Sequence, residues 1–242
     1  MDFGLIIDVE TSGLDPAQDK IIEVGVLLFA WKQGQQPYIV ETYGGLQDPF
    51  LEISQEIEKL TGIKNSHLKG QKISWPLVNS IFGRSQIAIA HNASFDKSFL
   101  TRVPELAEAV NSLHWACSLR HIDWSSLGSR SMSLNHLAAD QGFINPFAHR
   151  ALFDCATTFR VISPYLDELV TRSYERQYRL YAFQAHFDKK DLLKSQQFRW
   201  DSEKRVWYKD VIESQLPHEE EFLKTHIYNG TSAYKTEELA QL

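Results

Sequence analysis

Apolar positions fall in two regimes along the chain. Residues 3–9 form a β-branched apolar run that predicts a buried strand ending on acids. Residues 21–30 predict a second strand, after the turn signal Ser12-Gly13-Leu14-Asp15-Pro16, and 38–43 a third that closes an antiparallel meander. Ile53, Ile57 and Leu60 repeat at helical spacing across 54–60, with Gly62 as a stop. The short apolar run 86–90 suits an inner strand. Helices are expected at 95–102, 105–112, 133–141 and 151–168, with a strand at 115–119. Three strands followed by strand–helix alternation imply an α/β fold, a mixed five-stranded sheet with helices on its faces.

Composition narrows the class without fixing it. The chain has 242 residues, 43% hydrophobic and 23% charged, which excludes a fully disordered protein. Two cysteines, Cys117 and Cys155, are too few for a disulfide scaffold. The start Met1-Asp2-Phe3-Gly4 lacks a basic signal region, and no apolar run approaches the roughly 20 residues of a membrane span. A cytoplasmic protein with no membrane partner is the expectation. The formal net charge of -6 argues against a broad grip on duplex nucleic acid. Charge is uneven, however: the excess lies in residues 1–170, while 172–209 is basic and 210–242 acidic. Two domains are expected, 1–170 and 171–242.

Three short segments carry the candidate chemistry. In Asp8-Val9-Glu10, alternation along a strand sends both carboxylates to one face, where they repel unless a cation or proton intervenes. A solvated strand end is the plainer reading of that pair. In His91-Asn92-Ala93-Ser94-Phe95-Asp96, Asn92 or Asp96 can equally cap the next helix. In His149-Arg150-Ala151-Leu152-Phe153-Asp154, an acid sits among apolar neighbours, where it needs a partner or a task. Together they offer four hard oxygen donors, a set suited to magnesium or manganese, and the chain has no Cys/His spacing for zinc. Clustered acids would repel a phosphodiester unless metals are present, and two divalent ions can serve both the attacking and the leaving oxygen.

Asp-x-Glu-Thr-Ser-Gly-Leu at 8–14, His-Asn-x-x-Phe-Asp at 91–96 and His-x-x-x-x-Asp at 149–154 resemble the three motifs of the DEDDh 3′–5′ exonucleases. This group includes proofreading subunits of bacterial replicases and exonuclease X. Ile22-Glu23-Val24-Gly25 and Thr61-Gly62-Ile63 also match, and the resemblance spans about residues 1–170. It implies a ribonuclease H-like fold, two Mg²⁺ or Mn²⁺ ions held by Asp8, Glu10, Asp96 and Asp154, and His149 as general base. Thr11 and Leu14 would meet the terminal nucleotide, with Leu14 as an apolar wedge and Phe95 as a wall, although core packing serves either equally well. His91 and Asn92 would shape the loop. The implied reaction releases nucleoside 5′-monophosphates from single-stranded or frayed DNA 3′ ends, in proofreading or repair, with DNA polymerases or repair proteins as further partners. An exoribonuclease carries the same motifs, and a non-catalytic polymerase-associated adaptor is the alternative from another class.

Beyond residue 170 the resemblance ends. Residues 172–209 interleave nine aromatic with ten basic side chains. Residues 188–194 predict a helix, and 198–201 with 204–209 a hairpin, together a small α+β module. Trp200, Trp207 and Phe198 are expected as its core, because so small a unit needs large apolar groups to fold. Lys189, Lys190, Lys194, Arg199, Lys204, Arg205 and Lys209 are then the candidate nucleic-acid contacts. Glu219-Glu220-Glu221 reads as a solvated helix face.

Overall fold

Strand β1 (Asp2–Thr11) runs through the middle of a five-stranded sheet. It pairs antiparallel with β2 (Ile21–Trp31), which pairs antiparallel with β3 (Tyr38–Leu46) at the edge. On its other side β1 pairs parallel with β4 (Ile87–Ala90), and β4 with β5 (His114–Cys117). The mixed sheet expected from the sequence is the one found. The computed structural model describes residues 1–239, and by internal packing the chain divides into Met1–Ser173 and a second unit beginning at Tyr174. The expected second domain also takes in 240–242, which lie outside the described residues. Among the described residues no helix is long and apolar enough to cross a membrane.

Period-two alternation sorts the inner strands onto two cores. Leu5, Ile7 and Val9 of β1 join Val24, Val26 and Leu28 of β2 on one face. There they pack against α3 (Trp75–Phe82), α4 (Ala93–Leu100) and α5 (Ala107–Ser112). Ile6, Leu27, Phe29, Ile87 and Ile89 face the other way, toward α7 (Leu134–Asp140), α8 (Ala151–Ile162) and α9 (Leu166–Ser173). Both faces are covered, so the strands read as continuous apolar runs. The short helices α1 (Gln55–Thr61), α2 (Asn65–Leu68) and α6 (Ser118–His121) complete the unit. As expected, α1 stops at Gly62, which is left-handed at φ 70 and returns its N–H to Glu58.

Three elements differ from the sequence reading. Helices α2 and α3 occupy a stretch left without structure. The helix expected over 151–168 is interrupted at Ser163–Tyr165, because Pro164 has no N–H for a continuous ladder. The strand near 115–119 yields to α6 from Ser118 onward.

The start of α8 presses directly on β2. A Cβ built on Gly25 would lie 2.4 Å from the backbone of Ala151 and of Leu152. Only glycine permits that approach.

The second unit is a four-stranded antiparallel sheet in the order β7-β8-β6-β9. Its strands are β6 (Gln177–Ala182), β7 (Arg199–Asp201), β8 (Val206–Ile212) and β9 (Lys235–Leu239). Helices α10 (Lys190–Ser195) and α11 (Leu216–Phe222) belong to the same unit. The expected hairpin is β7–β8, whereas β6 and β9 are strands the sequence did not announce. Leu180, Ala182, Leu193, Phe198, Val211, Leu223 and Ile227 form the core. Phe198 is in it and Trp207 packs beside it, but Trp200 is 51% exposed and meets Trp207 edge-on. Contrary to the sequence expectation Trp200 is not a core residue, because an edge strand gives it a neighbour on one side only.

Gly25→Ala should cost about 1–3 kcal/mol of stability, the range for forced overpacking, because backbone and not a side-chain tip stands in the way. Urea unfolding of the variant and the parent measures it.

Candidate active site

The site forms where β1 ends. Asp8 and Glu10 follow Ile6 on the face that α8 covers, and Asp154 lies in the first turn of α8. One carboxylate oxygen from each of Asp8, Glu10 and Asp154 falls within 4.8 Å of the others. Asp96, buried in α4, accepts the N–H of Val9 at 3.1 Å, which ties α4 to β1 between the two acids. Neither Asn92 nor Asp96 makes the helix-capping bond that was the plainer reading; Asn92 stands at the cap position without one.

Burial raises the proton affinity of every member, and neighbouring charges add to it at Asp8, Glu10 and Asp154. Burial, then the charges of Asp96, Glu10 and Asp154, pushes Asp8 well above the ordinary range. Glu10 rises to about 8, through burial and then Asp154. Burial lifts Asp96 to about 7 against the opposing Val9 N–H. Asp154 rises to about 6 by burial, tempered by the N–H groups of His149 and Arg150 and by Asn145. Such a site favours positive charge. Its donors are carboxylate oxygens, so a divalent cation of the magnesium type fits the residues present, with Asp8, Glu10 and Asp154 to hold it and Asp96 alongside.

All ten residues singled out in the first unit line one cavity of about 620 Å³. The acids make its floor together with Thr11, whose hydroxyl donates to Gly13 at 2.5 Å. Leu14 is 83% exposed at the rim, so core packing is not its role. Phe95 serves both purposes, stacking on Phe99 at 5.0 Å while lining the cavity. His91 has both ring nitrogens engaged, Nδ1 with Ser118 Oγ at 2.7 Å and Nε2 with the Met132 carbonyl at 2.8 Å. Burial holds its pKa down at about 4, so the ring is neutral, Nε2–H donates to the carbonyl and Nδ1 accepts from the hydroxyl. It braces the loop. His149 is exposed, has a left-handed backbone at φ 61 two residues before α8, and lines the cavity.

Two supporting residues escape motif reading. Glu23 sits directly opposite Glu10 in the β1–β2 ladder and is only 6% exposed. The Arg150 guanidinium forks onto it, Nε at 3.1 and 3.2 Å and Nη2 at 2.9 Å, and the Ala151 N–H donates to it at 3.0 Å. The residues just after His149 are thereby pinned to β2. On the other flank, Asn145 donates to Asp154 at 2.7 Å and accepts the Phe147 N–H at 3.0 Å. Glu23 lies inside a matched segment, but its place opposite Glu10 follows only from strand register and its pairing with Arg150 only from tertiary packing. Asn145 carries no sequence signal.

In the second unit the candidate cations divide. Lys209 is turned inward to Glu219, 2.6 Å away, with both side chains largely buried. Arg199 shares Asp210 with Arg179. Glu219 is thus no part of a solvated face, and the charge of Lys209 is spent within the module. Lys189, Lys190, Lys194, Lys204 and Arg205 stand outside these pairs.

Glu23→Ala should destabilise the protein by about 1–3 kcal/mol, because the Ala151 N–H and the Arg150 guanidinium lose a buried acceptor; chemical denaturation reads the loss. A second expectation concerns pH. Carboxyls with proton affinities raised by folding stabilise the fold while protonated, and that contribution disappears as pH climbs through their folded values, from about 6 at Asp154 to about 8 at Glu10. Chelator-treated protein should therefore melt at lower temperature near about pH 8 than near about pH 5, and Mg²⁺ or Mn²⁺ should raise Tm more at the higher pH. Calorimetric melts with and without metal check both signs.

A family model described as Exonuclease, RNase_T, matches residues 5–162. The chain is 33% identical over 171 residues to DNA polymerase III PolC-type of Thermotoga maritima, covering 67% of this chain and 12% of that protein. Its counterpart in Halalkalibacterium halodurans is 31% identical over 159 residues, covering 64% and 11%. The chain thus spans about an eighth of the length of these relatives. Among solved structures, E. coli Exonuclease I in complex with a dT13 oligonucleotide superposes with a TM-score of 0.59 at 16% identity, over 75% of this chain and 48% of that one. That likeness is one of fold, whereas the family match covers all three acidic segments and ends with α8, and by it the chain belongs to the RNase_T exonuclease family.

Proposed function

We propose that the first unit is a divalent-metal-dependent 3′–5′ exonuclease that hydrolyses the terminal phosphodiester of single-stranded or frayed DNA and releases nucleoside 5′-monophosphates. The observation that carries this reading is the convergence of three carboxylates within 4.8 Å, in a cavity that His149 also lines. The names of the relatives, DNA polymerase III PolC-type, and of a neighbour in complex with a dT13 oligonucleotide support DNA as the substrate. Proofreading or repair is the corresponding role, with polymerases or repair proteins as partners.

Each residue then has a task. Asp8, Glu10, Asp96 and Asp154 would hold two Mg²⁺ or Mn²⁺ ions, with Asn145 fixing one oxygen of Asp154. When bound, the ions supply the Lewis acidity that favours the nucleophile and the leaving oxygen. His149, which lines the cavity two residues before α8, takes the proton of the attacking water. Leu14 presents apolar surface to the terminal base from the rim, and Phe95 flanks the cavity wall. Thr11 orients the loop that carries Leu14 through its bond to Gly13. Glu23 and Arg150 keep His149 and Asp154 in one frame.

A 5′-labelled oligonucleotide with Mg²⁺ or Mn²⁺ should shorten one nucleotide at a time from its 3′ end, and chelation should stop the reaction. Internal cuts, or none, would refute the reading. Asp8→Ala and Asp154→Ala should abolish turnover, and His149→Ala should reduce kcat by about a hundredfold or more, the usual contribution of a general base. Matched DNA and RNA substrates in the same assay decide the sugar.

A further inference from the structure

The second unit is polarised along its strands. β6 and β8 are antiparallel with Ala182 opposite Trp207, and β7 meets β8 with Asp201 opposite Val206. The segment that leaves β6 and the turn that joins β7 to β8 therefore emerge at one end of the sheet. The segment after β6 carries Phe183, Phe187, Asp188 and Lys189 and leads into Lys190 at the start of α10, and the turn carries Glu203, Lys204 and Arg205, so the cations outnumber the acids. At the opposite end Arg176 is paired with Glu213, and Glu175 accepts the Ser214 N–H, so that end presents acids already engaged.

The cationic end also has unusual aromatic exposure. Phe187 is 74% exposed and Phe183 41%, although the module has a core that could take apolar groups. The Lys190 ammonium stands 4.5 Å from the centre of the Phe187 ring. Lys204 lies 5.3 Å from the ring of Tyr181 and 3.3 Å from its hydroxyl, and Tyr181 neighbours Phe183 at 5.6 Å. Lys190 thus stands beside an exposed ring, whereas Tyr181 beside Lys204 is buried and the exposed face there belongs to its neighbour Phe183. A flat π face beside a cation suits an unpaired base and its adjoining phosphate. A paired base offers no free face to such a ring, and an acidic peptide would leave the rings unused.

We propose that this end of the second unit is a docking surface for single-stranded DNA, on which Phe187 and Phe183 stack bases while Lys189, Lys190, Lys204 and Arg205 meet phosphates. Lys209 and Arg199, spent on Glu219 and Asp210, are excluded from it. The proposal extends the exonuclease reading, since the surface would hold the strand and take no part in its hydrolysis.

The full-length protein titrated with fluorescein-labelled oligothymidylate in chelator, read by anisotropy, tests it without cleavage. Phe187→Ala should raise Kd about tenfold, as loss of one stacked base does. Lys189→Ala with Lys190→Ala should weaken binding and flatten the salt dependence by about 1.4 in log–log slope. Arg176→Ala, at the far end, should bind as the parent does. None of these changes should alter kcat on a dinucleotide. Parental affinity in both the Phe187 and the lysine variants would overturn the proposal, as would losses confined to an oligouridylate probe or to a duplex. Circular dichroism on each variant separates lost contacts from a misfolded module; Phe187→Leu, which keeps apolar bulk without the ring, should bind as weakly as Phe187→Ala. Hydrolysis without this binding would leave the exonuclease standing and remove the surface, whereas binding without hydrolysis would do the reverse.

Discussion

Repulsion among carboxylates at the end of β1 is the constraint around which the first unit is arranged. Asp8, Glu10, Asp96 and Asp154 come from three separate stretches of chain, and each resists the others. Left to local forces they would move apart. Two covered sheet faces, the Val9–Asp96 bond and the close approach at Gly25 prevent that. The resulting strain is the affinity of the site for positive charge, so the apolar cores stabilise the fold and set its chemistry at once.

Glu23 shows how a further acid can help such a cluster. Facing Glu10 across the ladder, it would add to the repulsion if it stood alone. Its charge is met by Arg150, and its second oxygen holds the backbone of Ala151. The pair adds little net charge and supplies position. Asn145 does the same from the other flank without any charge. Between these two anchors lies His149, and the left-handed turn there persists because both sides of it are fixed.

The four acids and His149 of the proposed site could be picked out in the sequence because such chemistry prescribes residue types at set spacings, and the structure brings them to one cavity. The sheet was legible because two-sided burial leaves unbroken apolar runs. Glu23 and Asn145 were not, since their meaning comes from register and loop closure and no local pattern encodes either. The break at Pro164 could have been read, and the helical periodicity on both sides concealed it. In the second unit β9, Lys235–Leu239, is a polar edge strand, which carries little of the alternation that marks strands with a buried face. Lys209 had the composition of a surface contact, but only tertiary packing disclosed Glu219 beside it.

The sorting of one sheet onto two cores has a consequence for synthesis. The helices that cover Ile6, Leu27 and Phe29 all follow residue 133, so a ribosome-bound chain that ends before them has one clothed and one bare apolar face. Asp154 arrives with the same helices that clothe it. A nascent chain is therefore sticky for as long as its acidic cluster is incomplete, and the arrival of α8 ends both conditions together.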